Sequence, residues 1–180
     1  MRGESWRKIA AIHGKIHFDK QRRIGYNKAI LTAQRRKDML NMKDPNCAYC
    51  MEGELLAQFG IKICELEAGI LYLFKEQSHP GRVIVATKRH LNDIVDMTDE
   101  ERTAFFGDVA HVSAALQKVF HPDKVNYGMY NDKGGHFHVH MVPKYKDQYE
   151  WGTVFEMNPG KTLLSDAEYD ELIAKIKAAL

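Results

Sequence analysis

Between residues 44 and 180, short apolar runs alternate with polar breaks, and two longer stretches carry apolar residues at helical spacing. The runs IKICEL (61–66), GILYLF (69–74), RVIVAT (82–87), VNYGMY (125–130) and HFHVHMV (136–142) are rich in β-branched and aromatic residues, with Gly or Pro in several of the gaps. They predict about five strands. Between the third and fourth, Thr98 and Glu101 form a capping-box signature, and Phe105, Val109, Val112, Leu116 and Val119 share one helical face, which predicts a long helix. Ser165 and Glu168 repeat the signature ahead of Tyr169, Leu172, Ile173 and Ile176, which predicts a C-terminal helix. Upstream, YNKAILTAQRRKDMLNM places Ala29, Ile30, Ala33, Met39, Leu40 and Met42 at roughly helical spacing. Asp44-Pro45-Asn46 then separates an N-terminal extension, residues 1–43, from a main domain of residues 44–180.

Composition narrows the class. With 180 residues, 44% of them hydrophobic, the chain supports one principal core with appendages. No run approaches the roughly 20 apolar residues of a membrane span, and the opening MRGESWRKIA lacks a signal peptide's apolar core. The expectation is a soluble, cytoplasmic protein. Three cysteines, two of them in CAYC at Cys47 and Cys50, do not make an even disulfide framework and point to metal or redox chemistry. The net charge of +2 hides an asymmetry: residues 1–43 hold 12 basic and 3 acidic side chains, residues 44–180 hold 14 and 21. Such a basic extension can touch nucleic acid, anionic lipid or an acidic partner subunit, although a solvated helix is the simpler reading.

The candidate chemistry lies in HFHVHMV. Side chains two apart on a strand share a face, so Phe137, Val139 and Met141 can enter the core while His136, His138 and His140 line the other side. Each neutral ring brings a donor and an acceptor that need partners, which makes a row of three costly as packing alone. Imidazole suits metal ligation, and nucleophilic attack or proton transfer near neutral pH. Cys47 and Cys50 have the spacing of a tetrahedral zinc site but lack a second ligand pair nearby; His90 and His136 are the candidates to complete it.

HFHVHMV resembles the signature of the histidine triad family. HPGRVIVATKRHLNDIVDMTDEE and VNYGMYNDKGGHFHVHMVPKY are similar to the segments that lead into that family's long helix and triad, so the resemblance spans roughly residues 47–145. It implies an α+β fold with a mainly antiparallel sheet, one long central helix and a C-terminal helix. It also implies a nucleotide substrate, with adenosine types favoured, and a homodimer. His138 would attack the α-phosphorus and carry a nucleotidyl intermediate, with His136 and His140 as the other catalytic histidines and His140 donating to a phosphoryl oxygen. Asn126, Gly134 and Gly135 would lie near the phosphate. Cys47, Cys50, His90 and His136 would hold a structural zinc ion.

The chain departs from the family pattern in two places. Where many members carry an acidic ribose-binding residue, this sequence has Phe74 and Lys75, with Glu76 as a weak substitute. The glutamine or serine that often precedes the triad is also absent, with Asp132 and Lys133 near its place. Further on, Trp151, Phe155 and Met157 can cover a base, meet a second subunit or pack in the core, and Lys144, Tyr145 and Lys146 can favour a polyphosphate leaving group. Three readings compete with nucleotide hydrolysis. One is nucleotidyl transfer between sugar phosphates, where the related triad ends in glutamine; another is a non-catalytic binding module; the third is a catalytic metal on all three histidines.

Overall fold

Five strands form in the computed structural model, which describes residues 43–132 and 135–180: β1 (Gly60–Glu65), β2 (Gly69–Phe74), β3 (Val83–Thr87), β4 (Lys124–Gly128) and β5 (His138–Lys144). All neighbours pair antiparallel, in the order β1-β2-β3-β5-β4. Each predicted run yields a strand whose ends shift by no more than two residues. Residues 1–42 of the N-terminal extension, with its predicted helix, and Lys133 and Gly134 lie outside the described residues.

Among the described residues, four α-helices accompany the sheet. Two short ones, α1 (Ala48–Met51) and α2 (Gly53–Ala57), precede β1 and have no counterpart in the sequence reading. They meet at Glu52 and Gly53, both with positive φ (53° and 60°), so the chain turns sharply after the CAYC segment. The long helix α3 (Asp99–Phe120) and the C-terminal α4 (Asp166–Ala179) both carry the complete capping boxes that their sequences predict, on Thr98/Glu101 and Ser165/Glu168. No described helix is long and apolar enough to cross a membrane.

The sheet is covered on both faces. On one, α3 buries Phe105, Val109, Val112 and Leu116, and the Phe105 ring meets Phe137 at 5.6 Å between centroids. On the other, Leu56, Tyr72, Phe74, Ile84 and Ala86 form a core cluster against which Tyr49, Phe59 and Ile70 pack. That second face also holds the histidine row, so the α1–α2 segment roofs the candidate site.

One buried carboxylate ties α3 to the sheet. Asp108 accepts the amides of Glu67 at 3.2 Å and of Ala68 and Gly69 at 2.8 Å, which closes the β1–β2 turn. Gly69 is required there, because a side chain would run into Val85 and crowd the Ala86 carbonyl. Asp108→Ala strands those amides and is expected to cost about 2–4 kcal/mol. Urea unfolding checks this: the midpoint should fall with the slope unchanged, and an unmoved midpoint would show that the clamp is dispensable.

Candidate active site

Strand register assembles the site. In β5, His138 stands opposite Ala86 and His140 opposite Ile84 of β3, while on the other flank Gly128 of β4 stands opposite His140 and Asn126 opposite Val142. Directly paired residues share a face, so Asn126 lies on the histidine face, one pair beyond His140. Gly128 has to be a glycine, because a Cβ there would meet the rings of Tyr130 and Phe155. His136 precedes β5 and is set by the end of β3: the Thr87 amide donates to the Phe137 carbonyl at 3.1 Å, and the Phe137 amide to the Leu91 carbonyl at 2.6 Å.

All three rings are buried, His138 the least so at 8% exposure. The His138 Nδ1–H donates to the carbonyl of His136 at 2.7 Å. A carbonyl can only accept, so Nε2 keeps the lone pair of this neutral ring. His136 Nε2 donates to the Thr87 carbonyl at 2.8 Å, which turns Nδ1 toward the cysteines. His140 Nδ1 faces the Arg82 guanidinium at 3.3 Å. Burial is the main reason that none of the rings charges easily. It lowers His138 below the usual imidazole range, His136 to about 4, and His140, with help from Arg82, to about 2.

Cys47, Cys50, His90 and His136 converge so that their donor atoms all lie within 4.8 Å of one another. Sγ of Cys47 and Nδ1 of His136 are 3.3 Å apart, Cys50 and His90 3.1 Å, and Cys50 and His136 3.5 Å. The edge of a tetrahedron built from Zn–S and Zn–N bonds is about 3.5 Å, so the four donors fit a tetrahedral metal. Without a cation, burial raises the Cys47 thiol to about 11, whereas metal ligation requires the thiolate. The group lies beside the histidine row, and Tyr49 bridges the two, its ring 5.1 Å from that of His136 and 5.2 Å from that of His138.

Gly135 is exposed and packs against Asn92, which a Cβ would strike. Glu76 is buried, with one oxygen accepting from Ser78 and Thr162, and Lys75 donates to the Ala57 carbonyl at 2.5 Å. The Phe74 ring lies against His140, 5.6 Å between centroids. Lys144 is buried rather than at the surface, and its ammonium holds the carbonyls of Glu150 and Thr153. Tyr145 donates to the Phe120 carbonyl and Lys146 pairs with Asp123. Trp151 is exposed, while Phe155 is buried against Tyr130 and His140 and Met157 contacts Arg82. Sequence reasoning missed Arg82, whose one signal is a cation heading the otherwise apolar run RVIVAT.

Comparison with known proteins agrees with this geometry. Residues 62–147 match the HIT domain. The chain is 27% identical over 118 residues to Protein hit of Bacillus subtilis, covering 62% of this chain and 79% of that one. It is 28% identical over 76 residues to the bis(5'-adenosyl)-triphosphatase of Dictyostelium discoideum, covering 39% and 51% of the two chains. To the asymmetrical bis(5'-nucleosyl)-tetraphosphatase of Schizosaccharomyces pombe it is 35% identical over 72 residues, covering 37% and 40%. Among solved structures, a histidine triad protein of Sinorhizobium meliloti superposes with a TM-score of 0.66 at 20% identity, over 71% of this chain and 95% of that one. A Zn-bound histidine triad family protein of Mycobacterium smegmatis gives 0.51 at 20% identity, over 74% and 91%. With the triad on β5, the five-stranded antiparallel sheet and the match in agreement, residues 62–147 form a histidine triad (HIT) domain.

Proposed function

We propose that this chain is a nucleotide hydrolase or nucleotidyltransferase. It cleaves a phosphoanhydride or phosphoramidate bond at the α-phosphate of a nucleotide, with dinucleoside polyphosphates and nucleoside phosphoramidates as the substrate types, through a nucleotidyl intermediate on His138. The observation that carries this reading is the hydrogen bond from His138 Nδ1 to the carbonyl of His136, because it leaves Nε2 as a neutral nucleophile that needs no prior deprotonation. The hydrolase names of two relatives support the reaction class.

In the first step the Nε2 lone pair forms a bond to phosphorus as the bond to the leaving oxygen or nitrogen breaks with its electron pair. A polyphosphate departs as the anion, and an amine takes a proton from solvent. Water then attacks the same phosphorus and gives up a proton to solvent. The N–P bond breaks, its pair returns to Nε2, and the nucleoside monophosphate leaves. His140, Asn126 and the amides of Gly134 and Gly135 are the proposed donors to the phosphoryl oxygens, a role that requires groups already in place. His140, where sugar-phosphate transferases of this type carry glutamine, favours hydrolysis. A homodimer carries over from the family resemblance.

The metal held by Cys47, Cys50, His90 and His136 is proposed to be zinc in a structural role, and its charge would keep both thiols ionised. His136 then serves as ligand and as the carbonyl that orients His138. Metal analysis should find one zinc per chain in the wild type and a loss in Cys50→Ala. Chelation should lower the melting temperature together with activity; if it abolishes activity while the melting curve stays put, the metal belongs to the chemistry instead. The function itself is tested by intact-mass spectrometry after brief exposure to an adenosine phosphoramidate and a dinucleoside polyphosphate. Wild type should gain an adenylyl mass and release AMP, and His138→Ala should do neither while still binding nucleotide. Nucleotide binding without adduct or turnover in the wild type would make the chain a binding module.

A further inference from the structure

We infer that Arg82 is a positioning residue that fixes the tautomer of His140, so that His140 presents an Nε2–H donor to the phosphoryl group while His138 presents a lone pair. The inference rests on the reaction proposed above. Its geometric basis is independent of that reaction: a guanidinium can only donate, and Arg82 Nη2 lies 3.3 Å from His140 Nδ1. Nδ1 must therefore accept, which leaves the single proton of a neutral ring on Nε2. Two residues earlier on the same face, His138 meets a carbonyl, which can only accept, and is driven to the opposite tautomer.

The guanidinium is held firmly enough to impose this. Its Nη1 donates to the Met157 carbonyl at 2.8 Å and to that of Glu156 at 3.5 Å, and Nη2 also contacts Met157 Sδ at 2.9 Å. Its Cζ lies 4.0 Å from the centroid of the Phe74 ring and 5.1 Å from that of Phe155. The backbone is fixed too: Gln77 donates to the Arg82 carbonyl at 3.1 Å and accepts the Gly81 amide at 2.8 Å, and Gly81 turns the chain with φ of 85°. Gly81 admits no side chain, since the Phe120 ring occupies the space.

Packing alone does not account for an arginine here. The residue is fully buried, and among the described residues no carboxylate forms an ion pair with it. Burying a guanidinium is expensive even where the carboxylates of Glu76 and Glu150 favour its charge from beyond ion-pair distance, and an apolar side chain between Phe74 and Phe155 would avoid that cost. What an apolar residue cannot do is donate to His140. The same fixed charge also opposes protonation of His140, which keeps the ring a neutral single-proton donor.

The test is nitrogen-15 NMR of the imidazoles in the full-length, metal-loaded protein, with the His140 signals assigned by their loss in His140→Phe. Wild type should show His140 protonated at Nε2 and His138 at Nδ1; a His140 protonated at Nδ1 in the wild type overturns the inference outright, whatever the enzyme does. Arg82→Met should shift His140 to a tautomer mixture and slow adenylyl-adduct formation by about 100-fold, the usual effect of losing one oxyanion donor, with nucleotide affinity and zinc content unchanged. Arg82→Lys, which restores a donor-only cation, should recover the Nε2–H form and most of the rate. A His140 that stays wholly Nε2–H in Arg82→Met, or a tautomer shift with no change in rate, contradicts the assignment. If the wild type forms no adduct, the reaction has failed, and the tautomer readout still decides the role of Arg82.

Discussion

His138 offers a lone pair only while its Nδ1–H stays on the carbonyl oxygen of His136, 2.7 Å away, and much of the fold contributes to holding that carbonyl still. His136 sits just ahead of β5, where a chain would normally be loose. Here its ring is bonded to the Thr87 carbonyl, its successor Phe137 exchanges backbone hydrogen bonds with Thr87 and Leu91, and the Phe137 side chain is buried under α3. The cluster of Cys47, Cys50, His90 and His136 adds a tie on the opposite side, linking the residue just ahead of β5 to the α1 turn and the loop after β3. The alternation of a strand thus becomes a division of labour: odd positions from Phe137 to Met141 anchor the sheet to its helix, and even positions line the face where the reaction is proposed.

Burying three imidazoles and a guanidinium on one face would be destabilising if their polar atoms were left unpaired. Most are paired in a chain of complementary groups, although Arg82 Nε is buried without a hydrogen-bond partner. The carbonyl of Thr87 accepts from His136, the carbonyl of His136 accepts from His138, and Arg82 donates to His140. Small residues make the arrangement possible: Ala86 stands opposite His138, and Gly128 stands opposite His140, where any side chain would displace Tyr130 and Phe155. Depressed basicity follows from the same burial, so neutral rings are what the site offers at pH 7.

Much of this is visible in the sequence because it is local. Strand alternation, the capping boxes at Thr98 and Ser165 and the apolar stripe of α3 each depend on residues a few positions apart, and all reappear in the fold. The family motif adds the pairing of CAYC with His90 and His136, which no local pattern reveals; these donors meet across 40 and 89 residues of sequence. Arg82 was illegible for the same reason. It reads as a polar residue at a strand edge, and its burial is created by Phe155, Glu156 and Met157, more than 70 residues later. Lys144 likewise looks like a surface cation at the end of β5 until the turn at Glu150 and Thr153 folds over it. The short helices α1 and α2 escaped because four or five residues carry too little periodicity to read.

In the proposed reaction the nucleotidyl group passes first to His138 and then to water. Stereochemistry at the α-phosphorus tests it most directly, using a dinucleoside polyphosphate with a chiral α-phosphorothioate hydrolysed in oxygen-18 water. Two in-line displacements predict net retention of configuration in the nucleoside thiophosphate. Net inversion would mean that water attacks the substrate in a single step, and it would contradict the nucleotidyl-histidine intermediate.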